Sequence, residues 1–142
     1  MANLTYDSFW DDLSRGSIDM DTDSFYILLI NATGVSGASK TAHLKRSDVT
    51  ANEITGTGYT AGGNAITCTV AKNTGTHVET FTFSVVTWPA STITAAGGIV
   101  YKHRGGASTA DELVALVDFG GNVTSTAATF TFTPSAPITI QN

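Results

Sequence analysis

Apolar and polar side chains alternate with a period of two through most of the chain, and that period predicts strands rather than helices. The exception is Phe25-Tyr26-Ile27-Leu28-Leu29-Ile30, a continuous apolar run of the kind found where a strand is covered on both faces. It is the expected central strand. Ile66, Cys68 and Val70 alternate with polar residues, and so do Phe81, Phe83 and Val85 within an expected strand from Val78 to Trp88 that Pro89 should terminate. Ile99 to Lys102, Leu113 to Phe119, Phe130 to Thr133 and Ile138 to Ile140 complete the set, with Gly97-Gly98 and Gly120-Gly121 as breaks. Seven or eight short strands divided by turn signals predict an all-β domain, a β-sandwich or a jelly-roll-like barrel. The expected organisation is a single β-domain over residues 1–142, with 1–18 as an N-terminal helical segment.

That helix is predicted from Phe9 to Ser14, capped by Asp7 or Ser8 and stopped at Gly16. Phe9, Trp10 and Leu13 give it an apolar stripe, but it is too short to stand alone and must dock, on its own domain or on a neighbouring subunit. Residues 31–42 are small and flexible and read as a mobile loop. Glu53 to Gly63 contains four glycines around Tyr59 and reads as strand, turn, strand. Lys72 to Thr76 reads as a hairpin turn, and Ser91 to Ala96 is compatible with a connection or a single helical turn.

Composition narrows the function. The chain has 142 residues, a net charge of −5 and only 13% charged residues, and its isoelectric point is near 4.8. An acidic chain lacks the Lys/Arg excess that neutralises phosphates, which argues against nucleic acid. No apolar run is long enough to span a membrane as a helix, and no secretory signal pattern opens the chain, so synthesis and folding in a cytoplasm are expected. Cys68 is the single cysteine, which excludes an intrachain disulfide, and its place in an alternating strand predicts a buried, unreactive thiol.

Candidate chemistry is sparse. Gly56-Thr57-Gly58 begins like a dinucleotide-binding fingerprint, but the spacing of the next glycines fails and a strand pattern follows where a helix is required. Asp19, Asp21 and Asp23 resemble the start of a calcium loop, yet Ser24 and Ile30 stand where that loop needs Gly and Glu, so an acidic turn without metal is expected. His43, His77 and His103 lack metal spacing, and Asp111 and Glu112, adjacent on an extended chain, point apart. No catalytic residue, metal site or cofactor is expected, and the chain is read as a non-enzyme. Lys40, His43, Lys45 and Arg46 read as a solvated loop flank. Lys102-His103-Arg104 is a compact basic turn suited to an acidic partner surface, and Phe9 and Trp10 are the other candidate partner contacts.

Arg46-Ser47-Asp48-Val49-Thr50 with Glu53 to Gly63, Thr87-Trp88-Pro89-Ala90-Ser91-Thr92-Ile93, Ile99-Val100-Tyr101-Lys102 and Val117-Asp118-Phe119-Gly120 occur in an order that resembles small virion structural proteins of tailed bacteriophages, from the head and head–tail gene region. The resemblance covers most of the chain and implies no catalytic residue. It implies a virion location and a structural role, with the major capsid protein as the expected partner. The expected role is capsid decoration, as a cement protein and homo-oligomer on the head surface, a trimer at three-fold positions being the preferred arrangement. A tail or neck component (tube, connector or fibre base) is the alternative, and a carbohydrate-binding adsorption module is a second one.

Overall fold

The computed structural model describes residues 3–134 and 136–141. In chain order the elements are β1 (Leu4–Thr5), α1 (Asp7–Ser14), β2 (Phe25–Ile30), α2 (Ala32–Ser36), β3 (Asn64–Ile66), β4 (Cys68–Asn73), β5 (Val78–Phe83), β6 (Val86–Lys102), β7 (Leu113–Phe132) and β8 (Ile138–Gln141). Two 3-10 turns, Arg46–Asp48 and Thr50–Asn52, lie between α2 and β3. Five strands pair in the order β1-β7-β6-β2-β3 and three in the order β4-β5-β8. Every pairing is antiparallel. The molecule is an all-β sandwich with few helices, and its sheets do not close into a barrel.

The strand β2 justifies its apolar run. Phe25, Ile27 and Leu29 enter the core between the sheets, while Leu28 and Ile30 enter a second core on the opposite face of the larger sheet. Alternation sends successive side chains to opposite faces, so a strand buried on both needs apolar residues throughout. It lies inside the larger sheet, between β6 and β3, although β6 holds the middle position. The second core is roofed by α2, whose Val35 is buried, and by Val49 between the 3-10 turns. The expected mobile loop at 31–42 is therefore corrected: it contains α2, started by Asn31, whose Oδ1 accepts the Gly34 N–H at 2.9 Å.

The chain crosses between the sheets at Thr67 and again at Ser84, and the two crossings hold each other. Ser84 N–H donates to the Thr67 carbonyl at 2.9 Å, and Thr67 N–H donates to Ser84 Oγ at 3.0 Å. This corrects two expectations. The strand from Val78 to Trp88 is two strands, and the crossing shifts its parity: Phe81 points into the core, but Val85 is 54% exposed and Val86 and Trp88 are buried instead. Ile66 and Cys68 likewise belong to different sheets. They still face one core, with Cys68 half-buried against it.

The largest departure from expectation is the ribbon of β6 and β7, 17 and 20 residues long. Pro89 does not stop β6. It sits in an irregularity between Trp88 and Ser91, where Ala90 takes φ +49° and a missing N–H breaks no regular ladder bond. Ser91 to Ala96 is strand, and so are Gly97 and Gly98. A Cβ on Gly97 would lie 2.8 Å from Val35 Cγ2 and 2.9 Å from the Val117 carbonyl oxygen, so this glycine permits close packing of α2 on the sheet and is not a break. Gly120-Gly121 does not close β7 either. Ala95 faces Val123 and Gly97 faces Asp118, so Ala96 is opposed by the four-residue bulge of Phe119 to Asn122, and the ladder then resumes to Phe132.

The N-terminal segment adds a strand that the pattern did not predict: Leu4 and Thr5 pair with Leu116 and Ala115 of β7. Tyr6, extended and without a side-chain cap bond, is the N-cap of α1, replacing the expected Asp7 or Ser8, and Gly16 follows its end at φ +74°. Phe9 is fully buried in the central core and Leu13 packs against it. The helix thus docks on its own domain, and the burial of Phe9 contributes about 1.5–3 kcal/mol.

Candidate functional site

The basic turn follows β6, and its charges are satisfied at once by the protein itself. Lys102 Nζ lies 2.6 Å from Asp23 Oδ2 and donates to the Ser17 carbonyl at 2.7 Å. Arg104 presents its guanidinium edge to Glu112, with Nε 2.9 Å from Oε2 and the terminal nitrogen 2.9 Å from Oε1. The Arg104 backbone N–H donates to Asp111 Oδ1 at 2.9 Å. Between them His103 turns inward, its ring centroid 4.1 Å from that of Tyr26.

Asp111 and Glu112 point apart, as adjacent residues in extended chain must. Their partners arrive from the segment before the 3-10 turns: Arg46 Nε lies 2.7 Å from Asp111 Oδ2 and Lys45 Nζ 3.0 Å from Glu112 Oε1. Burial works against the Glu112 charge, but the bonds from Arg104 and Lys45 outweigh it and hold its carboxyl below the ordinary range. The Arg46 guanidinium also lies 5.1 Å over the Tyr101 ring. Arg46 is therefore largely covered and Lys45 partly so, whereas Lys40, 57% exposed and 3.4 Å from Asp7, keeps the solvated character expected of this flank. Six of the seven lysines and arginines pair with a carboxylate of this chain, and at the basic turn Lys102 is largely covered while Arg104 stays 39% exposed. The sequence signal for this was the scarcity of charge: few ions, grouped in short acidic and basic stretches, pair with one another.

The segment Glu53 to Gly63 is not a hairpin but an irregular strap over β2 and β6. Isolated bridges join Ile30 to Glu53 and Thr57 to Thr92. Glu53 Oε1 accepts from the Tyr59 hydroxyl at 2.7 Å and from the Gly62 N–H. The Tyr59 oxygen accepts the Leu29 N–H at 3.0 Å, and Tyr101 donates to the Gly62 carbonyl at 2.8 Å. At Gly63, φ is +75° and a Cβ would lie 1.8 Å from the Ile27 carbonyl oxygen, so no side chain fits there. Burial pushes the Tyr59 and Tyr101 phenols up, the latter to about 12, so both remain neutral donors. The strap clamps β2 and β6 together.

Asp19 Oδ1 accepts the N–H groups of Asp21 and Thr22 at 3.0 and 3.3 Å, and Asp23 Oδ2 accepts the Asp19 N–H at 2.8 Å. The carboxylates thus stabilise their own turn, and among the described residues no group of three or more His, Cys, Asp or Glu side chains converges as metal ligands. No described helix is long and apolar enough to cross a membrane. The Cys68 thiol is half-buried, and burial raises its pKa to about 11.

Two regions offer apolar or uncharged surface for contact with another molecule. Of the two helix aromatics, Phe9 is sealed in the core, whereas Trp10 is 37% exposed with its ring 4.9 Å from that of Phe9. Trp10 borders a groove of about 300 Å³ between β7 and the segment before β8, lined also by Leu4, Val117, Pro134, Pro137 and Ile138. The second such region is the far half of the β6–β7 ribbon. There Thr87 faces Thr131 and the hydroxyls of Thr94 and Thr124 lie 2.9 Å apart on an exposed face. No protein-family description, curated protein or solved structure matches this chain.

Proposed function

We propose that this protein is a non-enzymatic virion structural protein, a capsid decoration protein that binds the outside of a phage head through uncharged surface. The observation that carries the reading is the distribution of charge. Acidic and basic side chains are paired at one end of the sandwich, and no charged residue occurs after Asp118, so the far half of β7, the segment before β8 and β8 itself form a threonine- and alanine-rich surface. Such a surface is cheap to desolvate and suits repeated contacts with a lattice. The sequence resemblance to virion proteins supplies the setting, with the major capsid protein as partner. Trp10 and its groove form the anchor of this contact, because partly exposed aromatics beside apolar pockets carry a disproportionate share of interface energy.

Heads lacking the protein, mixed with the purified chain and sedimented, provide the test. The expected result is saturable co-sedimentation, with density on the head surface in electron micrographs, and a loss of affinity of about 10-fold or more for Trp10→Ala. Label confined to tails would replace the decoration reading by a tail or neck role. One feature favours that second reading: an unpaired strand edge on β7 is the kind of element that joins subunits of a ring by continuous sheet.

A further inference from the structure

Charge is spread unevenly along this chain. Residues 7–23 hold six aspartates and one arginine and so account for the whole net charge of −5, because the acidic and basic side chains of the other residues balance. Three of the six meet a cation: Asp7 meets Lys40, Asp11 meets Arg15 and Asp23 meets Lys102. Asp19 uses one oxygen to hold the N–H groups of its own turn. The Asp21 side chain is exposed, and its carboxylate makes no hydrogen bond or ion pair among the described residues.

The turn that holds Asp19 and Asp21 forms one side of a groove of about 460 Å³, and the inner face of β4, β5 and β8 forms the other. That face continues beyond the core. Phe81 is buried and Val70, opposite it, packs on the core, but one step further along the same face lie Glu79, half-buried, and Ile140, opposite it and 37% exposed. Buried Met20 and Phe81 give the groove an apolar floor, which Val70 and Ile140 extend to the surface. Its only charged lining residues are Asp19, Asp21 and Glu79. Lys72 faces Glu79 across the β4–β5 pair but forms no ion pair with it among the described residues.

We propose that this groove docks a segment of a protein partner through a lysine or arginine side chain, the aliphatic stem lying on Val70 and Ile140 and the cationic head among the carboxylates at the rim. Complementarity selects this occupant. Apolar walls favour a stem, and three carboxylates without a lining cation favour a positive head while repelling phosphate-bearing or acidic partners. A second copy of this chain is a poor source of that head, since six of its seven lysines and arginines already pair with its own carboxylates and a net charge of −5 opposes its approach. The contact is separate from the Trp10 groove and does not depend on binding to a head.

The test uses the purified full chain and a fluorescently labelled tetralysine peptide, with labelled tetraglutamate as the control. Anisotropy in low salt is expected to show saturable binding of tetralysine below about 1 mM and none of tetraglutamate. Asp21→Asn combined with Glu79→Gln is expected to weaken binding at least about 10-fold. Asp7→Asn combined with Asp11→Asn removes the same charge from the outer face of α1 and is expected to weaken it less than about 3-fold. Ile140→Ser, which leaves the charge unchanged, is expected to weaken it about 3-fold or more through the lost contact with the stem. Equal losses for the two carboxylate pairs, indifference to Ile140→Ser, or no saturable binding would overturn the proposal, the first two by showing attraction to bulk acidity alone. If the groove variants unfold, the unaltered protein decides: tetralysine must shift the methyl resonances of Val70 and Ile140 ahead of those of Leu44 beside α1, and the reverse order would overturn the proposal.

Discussion

The two halves of the β6–β7 ribbon are made of the same two strands and live in different environments. In the near half, Gly97 to Lys102 and Leu113 to Asp118, the ribbon lies between β2 and β1 and has a packed core on each face. In the far half, Val86 to Ala96 and Val123 to Phe132, one face packs on the core and the other carries threonines in water. The residues record the difference: Ile99-Val100-Tyr101 and Leu113-Val114-Ala115-Leu116 are continuously apolar, whereas Thr87, Thr92, Thr94, Thr124 and Thr126 are exposed positions in an alternating pattern. Burial on two faces gives rigidity and ties the strand down on both edges. Burial on one face leaves an edge and a surface available for contact.

If that contrast is real in energy, substitutions in the two halves should separate. The largest effect is expected where the near half ends in its ion network: Asp111→Ala leaves the Arg46 guanidinium largely buried without its carboxylate and removes the acceptor of the Arg104 N–H, at a cost of about 3–5 kcal/mol in urea unfolding. Leu116→Ala, in a fully buried near-half position, should cost about 2–5 kcal/mol. Val123→Ala, at a 43% exposed far-half position, should cost under about 1 kcal/mol. Equal losses at Leu116 and Val123 would abolish the distinction.

Acid should act on the near half first. The folded-state pKa of Glu112 lies below its ordinary value, so its contribution is fully present above that ordinary value and is lost as pH falls through the lowered folded one. Thermal midpoints measured from neutral pH down to about pH 3 should therefore fall, and Glu112→Gln should flatten that decline even though it lowers stability at neutral pH. A variant with an unchanged acid slope would remove Glu112 from the network. The smallest effect belongs to the far half: Ala127 holds φ +46°, a conformation costly for a residue with a Cβ, so Ala127→Gly should be neutral or stabilising by up to about 1 kcal/mol. A loss above about 1 kcal/mol would mean that this backbone turn is not populated as described.

Local pattern was enough to establish the all-β class, the strand β2 with both faces buried, the short N-terminal helix, and the small-residue stretches after Asp118, because alternation and apolar runs report directly which faces leave water, whereas the burial of Phe9, offered with Trp10 as a partner contact, was decided by where the helix docks. The continuity of β6 through Pro89 and of β7 through Gly120-Gly121 was not legible. A proline or a glycine pair signals a break only until a neighbouring strand accommodates it as a bulge, and that neighbour lies tens of residues away in sequence. The same distance hid the ion network, in which Lys45 and Arg46 meet Glu112 and Asp111, Arg104 shares Glu112 and Lys102 meets Asp23. Parity was lost at Ser84 for a related reason: a chain that changes sheets can reset which residues face the core, and no local spacing announces it. Composition determined that charge would be scarce. Only the tertiary structure decided where the charge gathers and which strand edge it leaves bare, because ion pairing and strand pairing join segments that sequence separates.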